Sequence, residues 1–448
     1  MSDGDLLCTT GRVLYLVVKQ ALRGSGITFI PGNSAAVLVW SDTVKIEYFK
    51  QLHPWQVINR LPWALTMCRK APFVRLIQRI EPFFPDLFTF LPKSYVLPLD
   101  GVAFNQALQK QDKTYIYKPD KGSLGHGIRM IPPGSDFRYN ARLAVAQEYI
   151  ESFTIDDRKF DLRVYALICS LDPLSIYIYR GGVARFCTES AEGDSRFSVL
   201  TNTAVNCKNP NLDNTDKMTR MISDVFKQLS NEGYDIAKLW RDIDQAIVLS
   251  LISAYGFLKK EEDIQCPNYG ISRCFQIIGC DVLLDKNLHP YILEINYRPS
   301  LKCNTENSHD LKLDMLKDAL KIAAPLQPLQ NLLDSTNFPK DPSGFTHFLQ
   351  QNKSVINEIE MLRQRNEIGN GFEKVFPNPK IPIWNEVLKT VKKLPTETML
   401  ETGLPLTLDH DSNNMANALY RKPQKSISMK DLARLRTAAR KALEKHEE

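Results

Sequence analysis

Asp281, Glu294 and Asn296 are the residues of this sequence whose types and spacing best suit metal chemistry. They lie in two β-like runs, CFQIIGCDVLL and LHPYILEIN, that a turn at Asp285–Asn287 joins as a hairpin. Such a turn pairs Asp281 with Ile292. Because side chains alternate along a strand, Glu294 and Asn296 are then expected on the same face as Asp281. Mg²⁺ prefers oxygen ligands beside nucleotide phosphates, so the pattern predicts such a site; two solvated acidic positions on an exposed face have the same spacing.

A glycine-rich segment directly follows a β-like run that ends in a lysine. The segment reads YIYKPDKGSLGHGI, with Lys118 before Pro119 and glycines at 122, 125 and 127. Glycines allow backbone N–H groups to turn towards phosphate oxygens. The order of residues matches neither a P-loop nor the dinucleotide-binding fingerprint. A strand lysine before the loop favours phosphate binding, although many such loops are only turns.

Charged and apolar residues alternate in the run KFDLRVY, which starts at Lys159. A strand with this alternation has one charged face and one apolar face. Two cations around Asp161 are what a migrating phosphoryl group requires, whereas a solvated sheet face has the same pattern. Gly181–Gly182 predicts a hairpin turn, with Arg180 and Arg185 on either side.

Composition and charge limit the classes of protein to consider. The 448 residues include 57 Lys+Arg, 51 Asp+Glu and nine Cys without a C-x-x-C pair. Scattered cysteines without a secretory signal pattern predict reduced thiols and no structural zinc. The apolar runs are shorter than the ~18 residues that span a bilayer. The basic excess is concentrated between Met415 and Glu448, where a basic helix from Ser428 predicts an acidic partner or simply a solvated surface.

The pattern of short β-like runs and helical stretches predicts an α/β (α+β) fold. We expect strands over Arg12–Val18 and Ala36–Trp40 and helices over Pro72–Ile80, Asp216–Ser253, Asp310–Ala323 and Trp384–Lys393. Composition shifts predict four parts: an N-terminal α/β domain (1–98), a central domain (99–190), a C-terminal core domain with the metal site (191–330) and a partly helical extension (331–448).

Seven segments in fixed order carry a resemblance to a known family. They are KPDKGSLGHGI, QEYI, KFDLRVY, YRGGVARF, LTNTAVN, CFQIIGCDVLL and YILEINYRPSL, and QLHPWQVINRLP precedes them. Together they resemble the tubulin tyrosine ligase-like family over residues 38–325, and within it the polyglutamylase branch. The resemblance implies an ATP-grasp-type core.

The resemblance also implies roles for individual residues. Arg163, Arg185 and Asn202 would act in catalysis by stabilising the transferred phosphate, and Asp281, Glu294 and Asn296 would hold Mg²⁺. The remaining implied residues would bind ATP: Lys118, Gly122, Ser123, Gly125, Gly127, Ile128, Gln147, Glu148, Tyr149, Ile150, Lys159 and Asp161. Many relatives have His where Val199 stands, before Leu-Thr-Asn.

The implied activity is an ATP- and Mg-dependent ligase that adds free glutamate to glutamate side chains on tubulin tails through an acyl-phosphate. Expected partners are tubulin or microtubules, with no membrane or nucleic-acid partner, and the chain is expected to be a monomer in the cytoplasm and cytoskeleton, including a cilium, flagellum or basal body. The alternatives are a glycylase or tyrosine ligase on the same scaffold, a silent microtubule-binding scaffold, and an ATP-grasp ligase for small peptides or a ribosomal protein.

Overall fold

The computed structural model describes residues 6–10, 13–29, 36–52, 56–122, 124–212, 218–266, 272–303, 305–324, 350–364 and 371–394. These residues form three β-sheets packed with helices, which confirms the α/β class. The predicted basic helix from Ser428 lies outside the described residues. The eight cysteines that can be described are free thiols, as predicted. None of the described helices has the length and apolar character needed to cross a membrane.

The first sheet is parallel, in the order β2-β1-β3-β4, and is joined by four helices. The predicted strand over Arg12–Val18 is wrong, because the chain is helical from Leu16 and buries Val17, Val18 and Ala21 with helical spacing. The elements are β1 (Leu6–Thr10), β2 (Ile27–Phe29), β3 (Leu38–Trp40), β4 (Val57–Ile58), α1 (Leu16–Gly24), α2 (Ile46–Phe49), α3 (Ala64–Met67) and α4 (Lys70–Ile80).

The second sheet is antiparallel, in the order β5-β8-β6-β7. Its elements are β5 (Ser94–Leu97), β6 (Tyr115–Pro119), β7 (Arg129–Ile131), β8 (Ala144–Glu148) and α5 (Gly101–Gln109). An aromatic cluster around Phe104 fills the space between α5 and the sheet. β6 and β8 are antiparallel neighbours in which Ile116 pairs with Gln147 and Lys118 with Val145. Lys118 and Gln147 are therefore diagonal neighbours on the same face of the sheet.

The third sheet is the largest, in the order β12-β11-β10-β13-β14, with β15 paired to β11 and β9 to β10. Its strands are β9 (Thr154–Ile155), β10 (Arg158–Leu171), β11 (Leu174–Phe186), β12 (Thr219–Met221), β13 (Gln276–Leu284), β14 (Pro290–Asn296) and β15 (Phe372–Phe376). The associated helices are α6 (Arg196–Val199), α7 (Thr203–Asn206), α8 (Ile222–Asn231), α9 (Ile236–Ser253), α10 (Tyr255–Gln265), α11 (Glu306–Ala323), α12 (Lys353–Gln364) and α13 (Ile383–Lys393).

Alternate residues of β10 pack into two different cores. Leu162 and Val164 belong to the core that contains α8, α9, α10 and α13, whereas Tyr165 and Leu167 belong to the core that contains α1 and α11. The alternation predicted for KFDLRVY is therefore present. Lys159 and Asp161 are buried rather than exposed, which excludes a solvated sheet face.

The predicted hairpin turn at Gly181–Gly182 is wrong. β11 runs without a break through both glycines, and the turn lies at Asp172–Pro173, where Leu171 pairs with Leu174. The glycines are required by close packing instead: a Cβ on Gly182 would lie 2.5 Å from the Arg163 carbonyl oxygen. A glycine pair that admits a neighbouring backbone therefore has the same sequence pattern as a turn.

The hairpin of β13 and β14 forms as predicted, but its register differs. Asp281 pairs with Glu294 rather than with Ile292, and Gly279 pairs with Asn296. Two one-residue shifts cause the difference: the turn contains three residues, Lys286–Leu288, rather than two, and a β-bulge after Asp281 accommodates one extra residue in β14. Residues opposite each other in an antiparallel pair share a face, so the two carboxylates still lie on the same side of the sheet.

Residues 371–394 belong to the core of the third sheet, since β15 extends it and α13 packs against α9 and α10. Val387 of α13 is fully buried. We expect Val387→Ala to lower the free energy of unfolding by about 2 kcal/mol, because two buried methyl groups are lost and a cavity remains. Urea denaturation measures this change. Ile383→Ala, on the exposed side of the same helix, should cost much less, and equal losses would contradict this packing.

Candidate active site

A cleft with an open volume of about 830 Å³ lies between the second and third sheets. Lysines line one part of it, and apolar side chains from both sheets line another. A cleft with a cationic part and an apolar part suits a ligand that has both phosphates and a base. It collects most of the residues predicted for ATP binding: Lys118, Gly122, Gly125, Ile128, Gln147, Glu148, Tyr149, Ile150, Lys159 and Asp161.

Three lysines supply the cationic part of the cleft. Lys118 is buried and donates to the Gln147 Oε1 atom at 2.7 Å. The Lys159 ammonium lies 4.3 Å from the centre of the Tyr149 ring and donates to its hydroxyl at 3.0 Å. Lys70, at the start of α4, donates to the Gly122 carbonyl oxygen at 2.8 Å. Lys70 is thus held beside the glycine loop, and Lys118 and Lys159 are held against Gln147 and Tyr149 at the end of β8.

The glycine loop requires glycine at two positions. Gly125 and Gly127 have φ values of +74° and +73°, a region that other residues rarely adopt. A Cβ on Gly125 would lie 2.7 Å from Val205, and one on Gly127 would lie 2.8 Å from Pro119. The loop therefore packs tightly against both walls of the cleft. Ser123 lies outside the described residues.

The strand end predicted to border a base has apolar surroundings, which include Ile116, Leu283 and Leu293. The Glu148 and Tyr149 N–H groups donate to the carbonyl oxygens of Lys93 and Thr114. The Gln147 side chain is also hydrogen-bonded, because its oxygen accepts from Lys118 and its nitrogen donates to Ser94. These bonds make the strand end a rigid wall of the cleft.

Two arginines and two aspartates form a buried ion-pair network at the edge of the cleft. Arg163 donates to both carboxylate oxygens of Asp281, at 2.5 and 3.0 Å. Arg185 lies 2.8 Å from Asp281 and donates to both oxygens of Asp161, at 2.7 and 2.5 Å. The register of β10 with its two neighbours places these pairs directly opposite each other.

The electrostatics of this network favour the charged forms. Burial alone would raise the pKa of Asp281, but Arg163 and Arg185 outweigh burial and hold that pKa well below its usual range. Burial lowers the pKa of Arg185, yet Asp161 and Asp281 raise it well above the ordinary value. Asp281, Arg163 and Arg185 are therefore ionised at neutral pH. Asp161 and Asp281 line the cleft, and the two guanidinium groups are fixed by these carboxylates without being part of the lining.

The donor set fits a divalent cation in its chemistry. Asp281 and Glu294 share a face of the sheet; Glu294 lines the cleft, and its nearest cationic partner is the Lys70 ammonium, at 3.5 Å. Asn296 follows two residues later on the same strand, and its side-chain oxygen would be the third ligand, because the buried side-chain nitrogen can only donate hydrogen bonds. Glu294 is the carboxylate most accessible to an ion, because both oxygens of Asp281 accept from arginines.

The sequence of the chain matches known proteins over the region that builds this cleft. A profile described as "Tubulin-tyrosine ligase family" matches residues 49–331, more than half of the chain. The chain belongs to the tubulin-tyrosine ligase family. The chain is 34% identical over 324 residues to "Tubulin polyglutamylase TTLL6" of Mus musculus, which covers 68% of this chain and 39% of that protein. This agrees with the resemblance stated above.

Other relatives within the tubulin-tyrosine ligase family have similar names. "Tubulin polyglutamylase ttll6" of Danio rerio is 34% identical, with 68% of this chain and 41% of the relative covered. "Probable beta-tubulin polyglutamylase" of Tetrahymena thermophila is 32% identical, with 64% and 25% covered. The chain thus spans about two-fifths or less of the length of these curated relatives.

Two residues of the cleft were not predicted from the sequence. Lys70 contacts the glycine loop and approaches Glu294, although the three segments are far apart in the sequence. Thr201 donates to Asp161 at 2.7 Å and so helps to hold Arg185. The run LTNTAVN carries the implied role of Asn202, but it gives no signal for Thr201. Asn202 of that run also lines the cleft, as its predicted role requires.

Burial and the neighbouring Lys70 lower the pKa of Lys118 to about 8. Below that pH the ammonium is charged, and above it the amine becomes neutral while an exposed lysine stays charged. We expect a ¹³C-methylated lysine signal, absent in Lys118→Met, to titrate with a midpoint near pH 8. Nucleotide phosphate should raise that midpoint by adding negative charge. A midpoint near 10.5 in the free protein would contradict the burial of this ammonium.

Proposed function

We propose that this chain is an ATP- and Mg-dependent ligase that joins glutamate to glutamate side chains or chains on tubulin C-terminal tails. The observation that carries the proposal is the convergence in one cleft of Lys118, Lys159, the glycine loop, Glu294 and the arginine–aspartate network. Family membership and relatives named polyglutamylases support the choice of substrate. A silent scaffold would have no need for buried, ionised groups around a nucleotide-sized cleft.

The proposed reaction has two steps, and the chain's own residues act in both. The acceptor carboxylate attacks the γ-phosphate of ATP, which gives an acyl-phosphate and ADP. The amine of free glutamate then displaces phosphate to form an amide. Arg163 and Arg185, fixed by Asp281 and Asp161, stabilise the negative charge that spreads over the transferring phosphoryl group. Asn202, beside the glycine loop, acts with them.

The nucleotide is proposed to lie with its base between Ile116, Leu283 and the strand end at Gln147–Ile150, and with its phosphates beside Lys118 and Lys159. Glu294, Asn296 and Asp281 would hold Mg²⁺, which neutralises phosphate charge when bound. Glu294 needs only a small rearrangement of Lys70 to accept an ion.

The second and third sheets, with the cleft between them, support the proposal of an ATP-grasp-type core. We retain the division at about residues 98, 190 and 330 as part of this proposal. Tubulin or microtubules would be the partner and the cytoskeleton the location, with cilium, flagellum or basal body as further places. A basic helix from Ser428 would attract acidic tails.

The test is a parallel incorporation assay. The purified chain is incubated with Mg-ATP, microtubules and labelled glutamate, glycine or tyrosine in separate reactions. We expect incorporation of glutamate alone, at glutamate residues of the tubulin tails, with one ADP released per residue added. Incorporation of glycine or tyrosine would refute the polyglutamylase assignment and retain the ligase chemistry. No incorporation of any of the three, with nucleotide still bound, would favour the scaffold.

A further inference from the structure

A second cavity, of about 340 Å³, lies outside the cleft described above. We call it the N-domain cavity, because the first sheet supplies half of its lining. Its walls come from the segments QLHPWQVINRLP and YILEINYRPSL, from the end of β3 and from β13. The lining residues are Trp40, Asp42, Asn59, Arg60, Ile277, Arg298, Pro299 and Leu301.

Three hydrogen-bond donors at this cavity have no acceptor among the described residues. They are the Trp40 indole N–H, the Asn59 side-chain amide N–H and the Arg60 Nε–H, and each is buried. Buried donors without acceptors are rare in folded proteins, because each costs free energy unless a partner is present. Three around one cavity indicate that an acceptor enters it.

The charges around the cavity favour the binding of an anion. Arg60 is 5% exposed, and its nearest carboxylate partner is Asp42, at 3.4 Å. Asp42 also accepts from the Leu14 N–H, at 2.7 Å. The exposed Arg298 adds a second guanidinium at the mouth, where it lies 3.4 Å from the Asp42 carbonyl oxygen. Two guanidinium groups and one carboxylate leave a net positive site, and a carboxylate matches the forked geometry of arginine.

The cavity lies on the same face of β13 as the catalytic network. Ile277 lines the cavity, Asp281 pairs with Arg163, and side chains at odd positions of this strand share a face. Between them Gly279 packs against Pro299, since a Cβ there would lie 2.8 Å from the proline and 3.1 Å from Arg163. Ile277 and Asp281 are four residues apart on this strand, ~13 Å along it, which is about the length of four residues of an extended peptide, and the two sites adjoin at Gly279 between them.

We infer that the N-domain cavity is a carboxylate-binding subsite that holds a glutamate of the acidic acceptor chain, about four residues from the carboxylate that reacts. This inference rests on the proposed function for the identity of the acceptor. Free glutamate has the same chemistry, but an acceptor chain is favoured because it can fill this cavity while another of its glutamates lies near Arg163. The subsite would therefore bind glutamate-rich tails in preference to chains with a single glutamate.

Direct binding tests the subsite without ligase chemistry. A dye-labelled peptide with six consecutive glutamates is titrated with the full chain, without ATP, and followed by fluorescence anisotropy. We expect Arg298→Gln to raise the Kd about tenfold and Trp40→Phe to raise it about threefold, because each removes a donor. Trp40→Phe removes one of the three unpaired buried donors and creates no new one. Arg138→Gln removes an exposed charge that lines neither cavity and should change the Kd less than twofold.

Steady-state kinetics then distinguish the two sources of carboxylate. With Arg298→Gln we expect the KM for the acceptor peptide to rise about tenfold, while kcat and the KM values for ATP and glutamate change less than twofold. A peptide with one glutamate should be insensitive to the variant. A rise in the KM for free glutamate instead would refute the acceptor assignment. Unchanged peptide binding and kinetics in both variants would refute the subsite. If the wild-type chain shows no ligase activity but both variants still lose peptide binding, only the proposed function is refuted.

Discussion

Replacing Arg185 with methionine is expected to reduce turnover about 10²- to 10³-fold and to lower the free energy of unfolding by about 3–5 kcal/mol. The reason for the second effect is electrostatic. Arg185 donates to both oxygens of Asp161, which is 2% exposed. When the guanidinium is removed, the hydrogen-bond donor that remains for Asp161 among the described residues is the Thr201 hydroxyl. A buried carboxylate without a counter-ion is strongly unfavourable, and Asp281 loses one of its two arginines as well.

A double variant separates the two effects. Asp161→Asn combined with Arg185→Met removes the uncompensated charge, so it should recover more than half of the lost stability in urea denaturation and none of the lost turnover. Arg220→Met is the matched control, since this arginine pairs with Asp156 at the surface and should cost less than about 1 kcal/mol. Full activity in Arg185→Met would show that the guanidinium does not act on the transferring phosphate.

The parts of the site that alternation governs could be predicted from the sequence. Strand periodicity alone assigned Lys159, Asp161 and Arg163 to one face of β10, and Asp281 and Glu294 to one face of their hairpin. Within β10 this prediction needs only that a strand forms, because the period of two then fixes the face. For Asp281 and Glu294, on different strands, the face also depends on the register, and the observed shift of two residues preserves it. The glycine loop is similar, since positive φ at Gly125 and Gly127 is a local property of the chain.

The parts that failed depend on residues that meet in space. The predicted register of β13 with β14 was wrong because the turn has one residue more than predicted and a bulge adds a second shift, and neither changes the hydrophobic pattern. Gly181–Gly182 was misread because the need for a small residue comes from Arg163 and α8 on other elements. Lys70 was missed because no spacing links α4 to Glu294. The ion pairs of Arg185 likewise depend on which strands are neighbours in the sheet, and this order cannot be predicted from local sequence patterns.

Replacing Glu294 with glutamine is expected to reduce ligase turnover about 10³-fold with little change in stability. Glutamine keeps the shape of the side chain and loses the charge that would hold a divalent ion. The Glu294 side chain is 29% exposed, and its nearest cationic partner is Lys70 at 3.5 Å, so folding does not depend on its charge. The Lys118 and Lys159 contacts are untouched, so nucleotide should still bind.

A metal readout makes the Glu294 prediction specific. Mn²⁺ binding, measured by electron paramagnetic resonance with a non-hydrolysable ATP analogue present, should weaken about tenfold or more in Glu294→Gln. Glu151→Gln makes the same chemical change at a surface residue paired with Lys286, and it should leave Mn²⁺ binding and turnover unchanged. Wild-type turnover in Glu294→Gln would remove this residue from the metal set. Lost turnover with unchanged Mn²⁺ affinity would instead assign its carboxylate to positioning Lys70 against the glycine loop.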